Sequence, residues 1–218
     1  VFPQIAGDGT GGSFVTWMEN RNAVDYDIFV QRVTSNGLTL WNPGGNIVSN
    51  YGRHQYYPII IRDIGGQDGV IIVWQDQRDG NYDVYAQKFT GNGQAMWSSG
   101  GEVVIQMNGD QVNPTVVSDG LGGAIITWTD FRTESGTSDV FCQRLLSDGR
   151  LAWVREGVPI AALTNDQLSP QIISDGKNGA IIAWQDRRNA SIDKIFAQRI
   201  DKDGVQRWTE NGVVMAYS

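Results

Sequence analysis

The stretch "TWTDFR" at 127–132 sets an aromatic, an acid and an arginine at alternating positions, and near copies stand at 16 ("TWMENR"), 73 ("VWQDQR") and 183 ("AWQDRR"). In an extended strand, residues two apart point to the same face, so Trp128, Asp130 and Arg132 make one row along one side of a sheet. Trp17, Glu19 and Arg21 make a second row, Trp74, Asp76 and Arg78 a third, and Trp184, Asp186 and Arg188 a fourth. One row could be a site, but four copies of it are first of all a repeat.

Working outward, the period is regular. Pro3, Pro58, Pro114 and Pro170 are 55, 56 and 56 residues apart, and Trp41, Trp97, Trp153 and Trp208 are 56, 56 and 55 apart. All eight tryptophans fall on one of two repeating positions. The chain, 1–218, therefore reads as a single domain of four units, 2–57, 58–113, 114–169 and 170–218.

Each unit breaks into short strands. In the last, "PQIIS", "AIIAWQDRR", "IFAQRI", "VQRW" and "VVMAY" are separated by "DGKNG", a polar loop, "DKDG" and "TENG". Asn-Gly and Asp-Gly pairs supply the positive φ angles of tight hairpins. Runs such as "VIIVW" (70–74) and "AIITW" (124–128) are apolar on both strand faces and predict sheets covered on both sides. A four-stranded unit of this length is too short for an immunoglobulin-like module of about 100 residues and too long for a solenoid coil of about 20 to 30. It fits a propeller blade. The expected fold is all-β: a β-propeller of four-stranded blades, closing as a four-bladed ring or forming part of a larger one, with a homo-oligomer expected if the ring is incomplete.

Composition narrows the chemistry. A formal charge of -7, with 17 Lys and Arg scattered along the chain, leaves no basic footprint for nucleic acid. No apolar stretch approaches the roughly 20 residues of a membrane span, so no membrane insertion is expected. Cys142 is the only cysteine and His54 the only histidine, which excludes an intramolecular disulfide and a cysteine- or histidine-rich metal centre. Cys142 reads as a buried thiol. "DKDG" at 201–204 resembles part of a calcium loop but takes the hairpin position of "TSNG" and "TGNG", so no metal is expected. No phosphate loop and no residue set for a quinone or nucleotide is present, and no cofactor is expected. Val1 is not an initiator methionine, which predicts a chain processed or cut from something longer.

The segments "TSNGLTLW" (34–41), "TGNGQAMW" (90–97), "SDGRLAW" (147–153) and "DKDGVQRW" (201–208) share a G-x-x-x-W spacing. It resembles the tryptophan-docking motif of propellers similar to the quinoprotein dehydrogenases and to outer-membrane assembly lipoproteins. "NPTVVSDG" (113–120) and "SPQIISDG" (169–176) are similar to the first-strand signature of that group. The resemblance implies that Trp41, Trp97, Trp153 and Trp208 pack between adjacent blades, and that the protein is extracellular or at a bacterial cell surface. The added W-x-[DE]-x-R strand and the longer repeat depart from that pattern.

Two readings of the alternating row compete. As chemistry, each carboxylate would be an acid or base oriented by its arginine. As structure, the tryptophan buries against the neighbouring blade, while acid and arginine form a pair that ties down loop carbonyls. Fourfold copying favours structure, because blade packing is needed in every copy and catalysis in one. Function is then expected where the units disagree. The segment "YGRHQYY" (51–57) puts Tyr51, Arg53, His54, Tyr56 and Tyr57 where later units have "MNGDQVN" and "LTNDQLS", and it is expected to share a face with "NRNAVDY" (20–26). Aromatic rings with Arg and His suit a sugar or peptide. The expected function is a noncatalytic interaction or scaffold module of a secreted or cell-surface protein, with a protein or glycan partner and no catalytic residue. The alternatives are a lectin-like carbohydrate binder and, third, a glycosidase or polysaccharide lyase using Asp76, Asp130 or Asp186.

Overall fold

Short β-branched and aromatic runs punctuated by glycine turns build sixteen strands and no helix among the residues described by the computed structural model, 1–65, 68–133, 136–189 and 192–215. The first sheet holds β1 (Gln4–Gly7), β2 (Ser13–Glu19), β3 (Asp27–Val33) and β4 (Asn46–Ser49). The second holds β5 (Gln55–Arg62), β6 (Val70–Asp76), β7 (Asp83–Phe89) and β8 (Glu102–Ile105). The third holds β9 (Gln111–Ser118), β10 (Ala124–Asp130), β11 (Asp139–Leu145) and β12 (Val158–Ala161), and the fourth β13 (Gln167–Ser174), β14 (Ala180–Asp186), β15 (Lys194–Ile200) and β16 (Val213–Val214). Within each sheet the strands pair antiparallel in chain order. This is a β-propeller arrangement of four four-stranded blades.

Three details differ from the sequence reading. Of "VVMAY", Val213 and Val214 form β16, while Ala216 and Tyr217 lie outside the described residues. "VQRW" is not a strand: Gln206 makes a single isolated bridge to Ile200, directly after the turn in which Asp201 accepts the Val205 N–H. The first strand of each later blade starts three residues before its proline, so Gln55, Tyr56 and Tyr57 of "YGRHQYY" belong to β5.

The β1–β2 type of hairpin is held by its aspartate. Asp119 accepts the N–H groups of Leu121 (2.8 Å) and Gly123 (2.8 Å), and its other oxygen takes a fork from Arg144 at 2.7 and 2.9 Å. Asp8 with Arg32 and Asp175 with Arg199 repeat the arrangement. Each arginine sits on the third strand, and two of them also reach forward: Arg32 donates to the Gly91 carbonyl and Arg144 to that of Lys202, both in the following blade. One side chain thus fixes a turn and a seam together.

The seams are apolar. Phe14, Ile28 and Val48 pack on Val70, Ile72 and Trp74; Ile71, Val84 and Val104 on Ala124, Ile126 and Trp128; Ile125, Val140 and Ile160 on Ala180, Ile182 and Trp184. Cys142 lies buried in the third seam, and burial pushes its thiol up. Trp41, Trp97 and Trp153 add a second contact, with indole N–H groups donating to the carbonyls of Gly91 (3.3 Å), Ser147 (3.1 Å) and Lys202 (3.1 Å) in the next blade. Their rings lie on Gly93, Gly149 and Gly204, where a Cβ would stand 3.0 Å or less from the nearest atom.

Strands β6 and β10 are buried along their whole length, as strands covered on both faces must be. In β2 and β14 burial alternates residue by residue. The reason is the shape of the assembly: among the described residues, apolar clusters join blades one to two, two to three and three to four, and none joins four to one. The four blades form an open arc.

Candidate functional site

The repeated row is built alike in the second, third and fourth blades. Trp74, Trp128 and Trp184 are buried, and each donates its indole N–H to the carboxylate two residues on: Asp76 at 2.8 Å, Asp130 at 2.7 Å and Asp186 at 2.8 Å. Arg78, Arg132 and Arg188 grip the same carboxylates through backbone N–H, Nε and Nη2. They then donate onward to the carbonyls of Gly100 (2.9 Å), Glu156 (2.8 Å) and Asn211 (2.8 Å). Each guanidinium also lies over the aromatic ring of the adjacent strand, Arg78 over Tyr85, Arg132 over Phe141 and Arg188 over Phe196, at 3.8 to 3.9 Å. For Asp186, the hydrogen bonds from Arg188 and Trp184 outweigh burial and hold its carboxyl below the usual range. These carboxylates have no lone pair left for a substrate proton. They are clamps.

A different row faces the centre of the arc. The residue before each repeated proline, Phe2, Tyr57, Asn113 and Ser169, has a positive φ of 57°, 52°, 52° and 53°. Residues before proline favour extended backbone, and a side chain at positive φ costs on the order of 1 to 3 kcal/mol. The register shows why three of them adopt it. Between Tyr56↔Gln75 and Ile59↔Val73, two residues of β5 face one of β6, and β9 and β13 are bulged at the same place. Side chains of the preceding blade accept the displaced N–H groups, Gln75 that of Asn113 at 2.8 Å and Thr129 that of Ser169 at 3.3 Å.

All four residues line one cavity of about 390 Å³, with Ile59, Gln75, Thr115 and Gln171 among the other lining residues. Phe2 and Tyr57 meet edge to face at 5.1 Å on one wall. Thr115 donates to the Pro170 carbonyl (3.2 Å) on the opposite side, bridging the third and fourth blades. Among the described residues that line it, none carries a charge. Rings, carboxamides and hydroxyls around a neutral, axial hollow suit a neutral polyhydroxylated ligand, which offers C–H faces to aromatics and hydroxyls to amides.

The five residues singled out in 51–57 do not form one constellation. Tyr51 lies on the outside, its ring 4.2 Å from the Arg78 guanidinium. Arg53 has φ 77° and gives its backbone N–H to Asp25. His54 accepts the Tyr26 N–H at 3.2 Å through Nδ1 and stacks on Tyr56 at 5.1 Å, so this segment and 20–26 do share a face. Tyr56 sits among Tyr26, Tyr57 and Tyr82, and burial pushes its phenol up. Only Tyr57 reaches the axial cavity. Sequence reasoning missed Phe2, Asn113 and Ser169. Their signal was present: a position that varies as Phe, Tyr, Asn and Ser immediately before a proline that does not vary.

No protein-family model matches the chain and no curated protein matches its sequence. Solved structures do resemble its fold. The endo-arabinase of Bacteroides thetaiotaomicron is 13% identical, over 91% of this chain and 74% of that one, with a TM-score of 0.53. The GH93 α-L-arabinofuranosidase of Fusarium graminearum, in complex with arabinobiose, is 10% identical over 98% and 68%, with a TM-score of 0.59. The α-L-arabinanase of Penicillium chrysogenum, also with arabinobiose, is 12% identical over 98% and 68%, with a TM-score of 0.58. These are propellers, and the fold reading stands on that. The tryptophan-docking group is not what the comparison returns. The expectation of a noncatalytic scaffold, with a lectin as alternative, is corrected by the same finding, since the neighbours named are glycoside-cleaving enzymes. The sequence reading sought the departure from symmetry in the 51–57 segment, whereas the axial row, which differs from blade to blade, takes only Tyr57 from it.

Proposed function

We propose that the protein acts on glycans as a glycosidase-type β-propeller, with the axial cavity as the place where the sugar chain lies. The observation that carries this is the row Phe2, Tyr57, Asn113 and Ser169, four residues at positive φ, three of them in bulges, that line one neutral hollow and differ in every blade. Strain retained at the same register in each copy is repaid at a binding site more readily than in a core. The neighbours' arabinose-containing substrates make α-L-arabinofuranosyl oligosaccharides the first class to try. In this reading Phe2 and Tyr57 hold a sugar face, while Asn113, Gln75, Thr115 and Gln171 read hydroxyls.

Glycosidic cleavage uses a pair of carboxyl groups. Asp76, Asp130 and Asp186 are saturated, so the reading assigns these blades the wall that holds the substrate. An extracellular location goes with a polysaccharide substrate. The seating of Trp41, Trp97 and Trp153 on the next blade's glycine supports the likeness to tryptophan-docking propellers at the seams, independently of the cavity.

The test is titration with arabinobiose and linear arabinan oligosaccharides, followed by assay for released reducing ends. The expected result is binding that falls at least about tenfold in Tyr57→Ala and in Asn113→Ala. Absence of both binding and release across α-L-arabinofuranosyl, xylosyl and galactosyl oligosaccharides would overturn the reading.

A further inference from the structure

A cluster of rings leads away from the axial cavity, along the end of the sheets where β3, β5 and β7 begin. Tyr57, 46% exposed in the cavity wall, touches Tyr56 at 5.7 Å. Tyr56 in turn stacks on His54 at 5.1 Å and meets Tyr26 at 5.7 Å and Tyr82 at 6.2 Å. Tyr26, His54, Tyr56 and Tyr82 are half buried, yet the hydroxyls of Tyr26, Tyr56, Tyr57 and Tyr82 find no hydrogen-bond partner among the described residues. His54 accepts the Tyr26 N–H through Nδ1, so its proton sits on Nε2, which has no partner among them either.

The fold does not ask for these rings. In the next two seams the acceptor role of His54 falls to Asp110, for the Tyr82 N–H (2.9 Å), and to Asp166, for the Ser138 N–H (3.1 Å). The position of Tyr56 holds Val112 and then Leu168, and that of Tyr26 holds Tyr82 and then Ser138. The second seam thus keeps one ring of the three and the third keeps none. All three seams nevertheless close with the same backbone hydrogen bond, from Gln55 to Tyr26, from Gln111 to Tyr82 and from Gln167 to Ser138. Rings that packing does not require, with their polar edges unspent, are material for a ligand.

We infer that Tyr26, His54, Tyr56 and Tyr82 form a shelf that carries a glycan chain onward from the axial cavity, so that the preferred ligand is an oligosaccharide longer than the cavity alone holds. The inference rests on the glycan reading of that cavity. Aromatic faces stack on the C–H faces of sugars, while phenol hydroxyls and the Nε2–H of His54 meet sugar hydroxyls. The steps between ring centroids, 5.1 to 6.2 Å, are the size of one sugar ring. Tyr57 belongs to both surfaces, so a chain seated in the cavity reaches the shelf without a gap.

Calorimetric titration of the whole chain with disaccharides and longer oligosaccharides of the α-L-arabinofuranosyl, xylosyl and galactosyl series tests this. In the series that binds, wild type is expected to hold the longer chains at least about tenfold more tightly than the disaccharide. The combined variant Tyr26→Ser, His54→Asp, Tyr56→Val takes at each position a residue that the later blades already carry. It is expected to lose that gain and to bind the disaccharide as wild type does. His54, the only histidine, also gives a probe that needs no substitution: its ring-proton resonances in wild type are expected to shift with the longer chains and to stay in place with the disaccharide. Equal affinity at all lengths, a variant that keeps the gain, or a His54 signal that the longer chains leave unmoved would each overturn the shelf, while the cavity reading stands on disaccharide binding. A gain with length that survives Asn113→Ala supports the shelf and counts against the cavity. Failure to bind at any length in all three series overturns both.

Discussion

The indole N–H of Trp128 donates to Asp130 over 2.7 Å, at a seam where both side chains are fully buried. The same carboxylate holds Arg132, so aromatic packing, an ion pair and a loop carbonyl are secured through one acid. Removing the indole empties a large buried volume and strands the carboxylate. Trp128→Ala is expected to cost about 3 to 5 kcal/mol, or about 10 °C or more in Tm for a domain of this size. Trp17→Ala, at a half-buried indole, is expected to cost less than half of that; thermal melts of the two variants make the comparison.

Under each of these tryptophans passes a glycine that cannot be replaced. At Gly101, φ is +91° and an added Cβ would lie 2.4 Å from Cη2 of Trp74; Gly212 stands in the same relation to Trp184. Gly101→Ala is expected to destabilise by about 3 kcal/mol, the sum of overpacking and backbone strain. Gly52→Ala, with nothing within 4 Å, is expected to be neutral. Urea midpoints at an unchanged slope would check both.

Acid should stabilise this protein before it destabilises it. Burial pushes the carboxyl of Asp83 up to about 7 and that of Asp139 up to about 6, above an ordinary 3.8. A raised acid binds a proton in the folded state that the unfolded chain has released, so its contribution is present below about pH 4 and is lost as pH climbs through 6 to 7. Arginine and turn N–H groups hold Asp175 and Asp186 below the usual range, so their contribution is lost only as pH falls below about 4. The Tm is therefore expected to rise from pH 8 to about pH 5 and then to fall. Asp83→Asn should flatten the limb near pH 7, as differential scanning calorimetry in a pH series would show.

The axial bulges predict a trade between stability and binding. Asn113 sits at φ 52° before Pro114, a conformation that glycine adopts without strain. Asn113→Gly is expected to raise stability by up to about 1 kcal/mol while weakening glycan binding, because the carboxamide leaves the cavity. Paired melts and titrations of this one variant check both halves.

The local chemistry was legible in the order of residues. Alternation with period two aligned Trp128, Asp130 and Arg132 on one face, Asp-Gly and Asn-Gly pairs placed the hairpins, and a step of about 56 residues between Trp97 and Trp153 required a blade-like unit. Those properties depend on backbone geometry within a few residues, so composition and spacing carry them. What only the tertiary structure decided was which side chains meet across blades. Phe2, Tyr57, Asn113 and Ser169 lie about 55 residues apart and share a cavity, and for the last three a bulge, which no single residue type announces, accompanies the turn toward it. The open ends were hidden for the same reason: Ile195 and Val84 are equivalent in the repeat, and one is exposed and the other buried solely because a further blade covers the second.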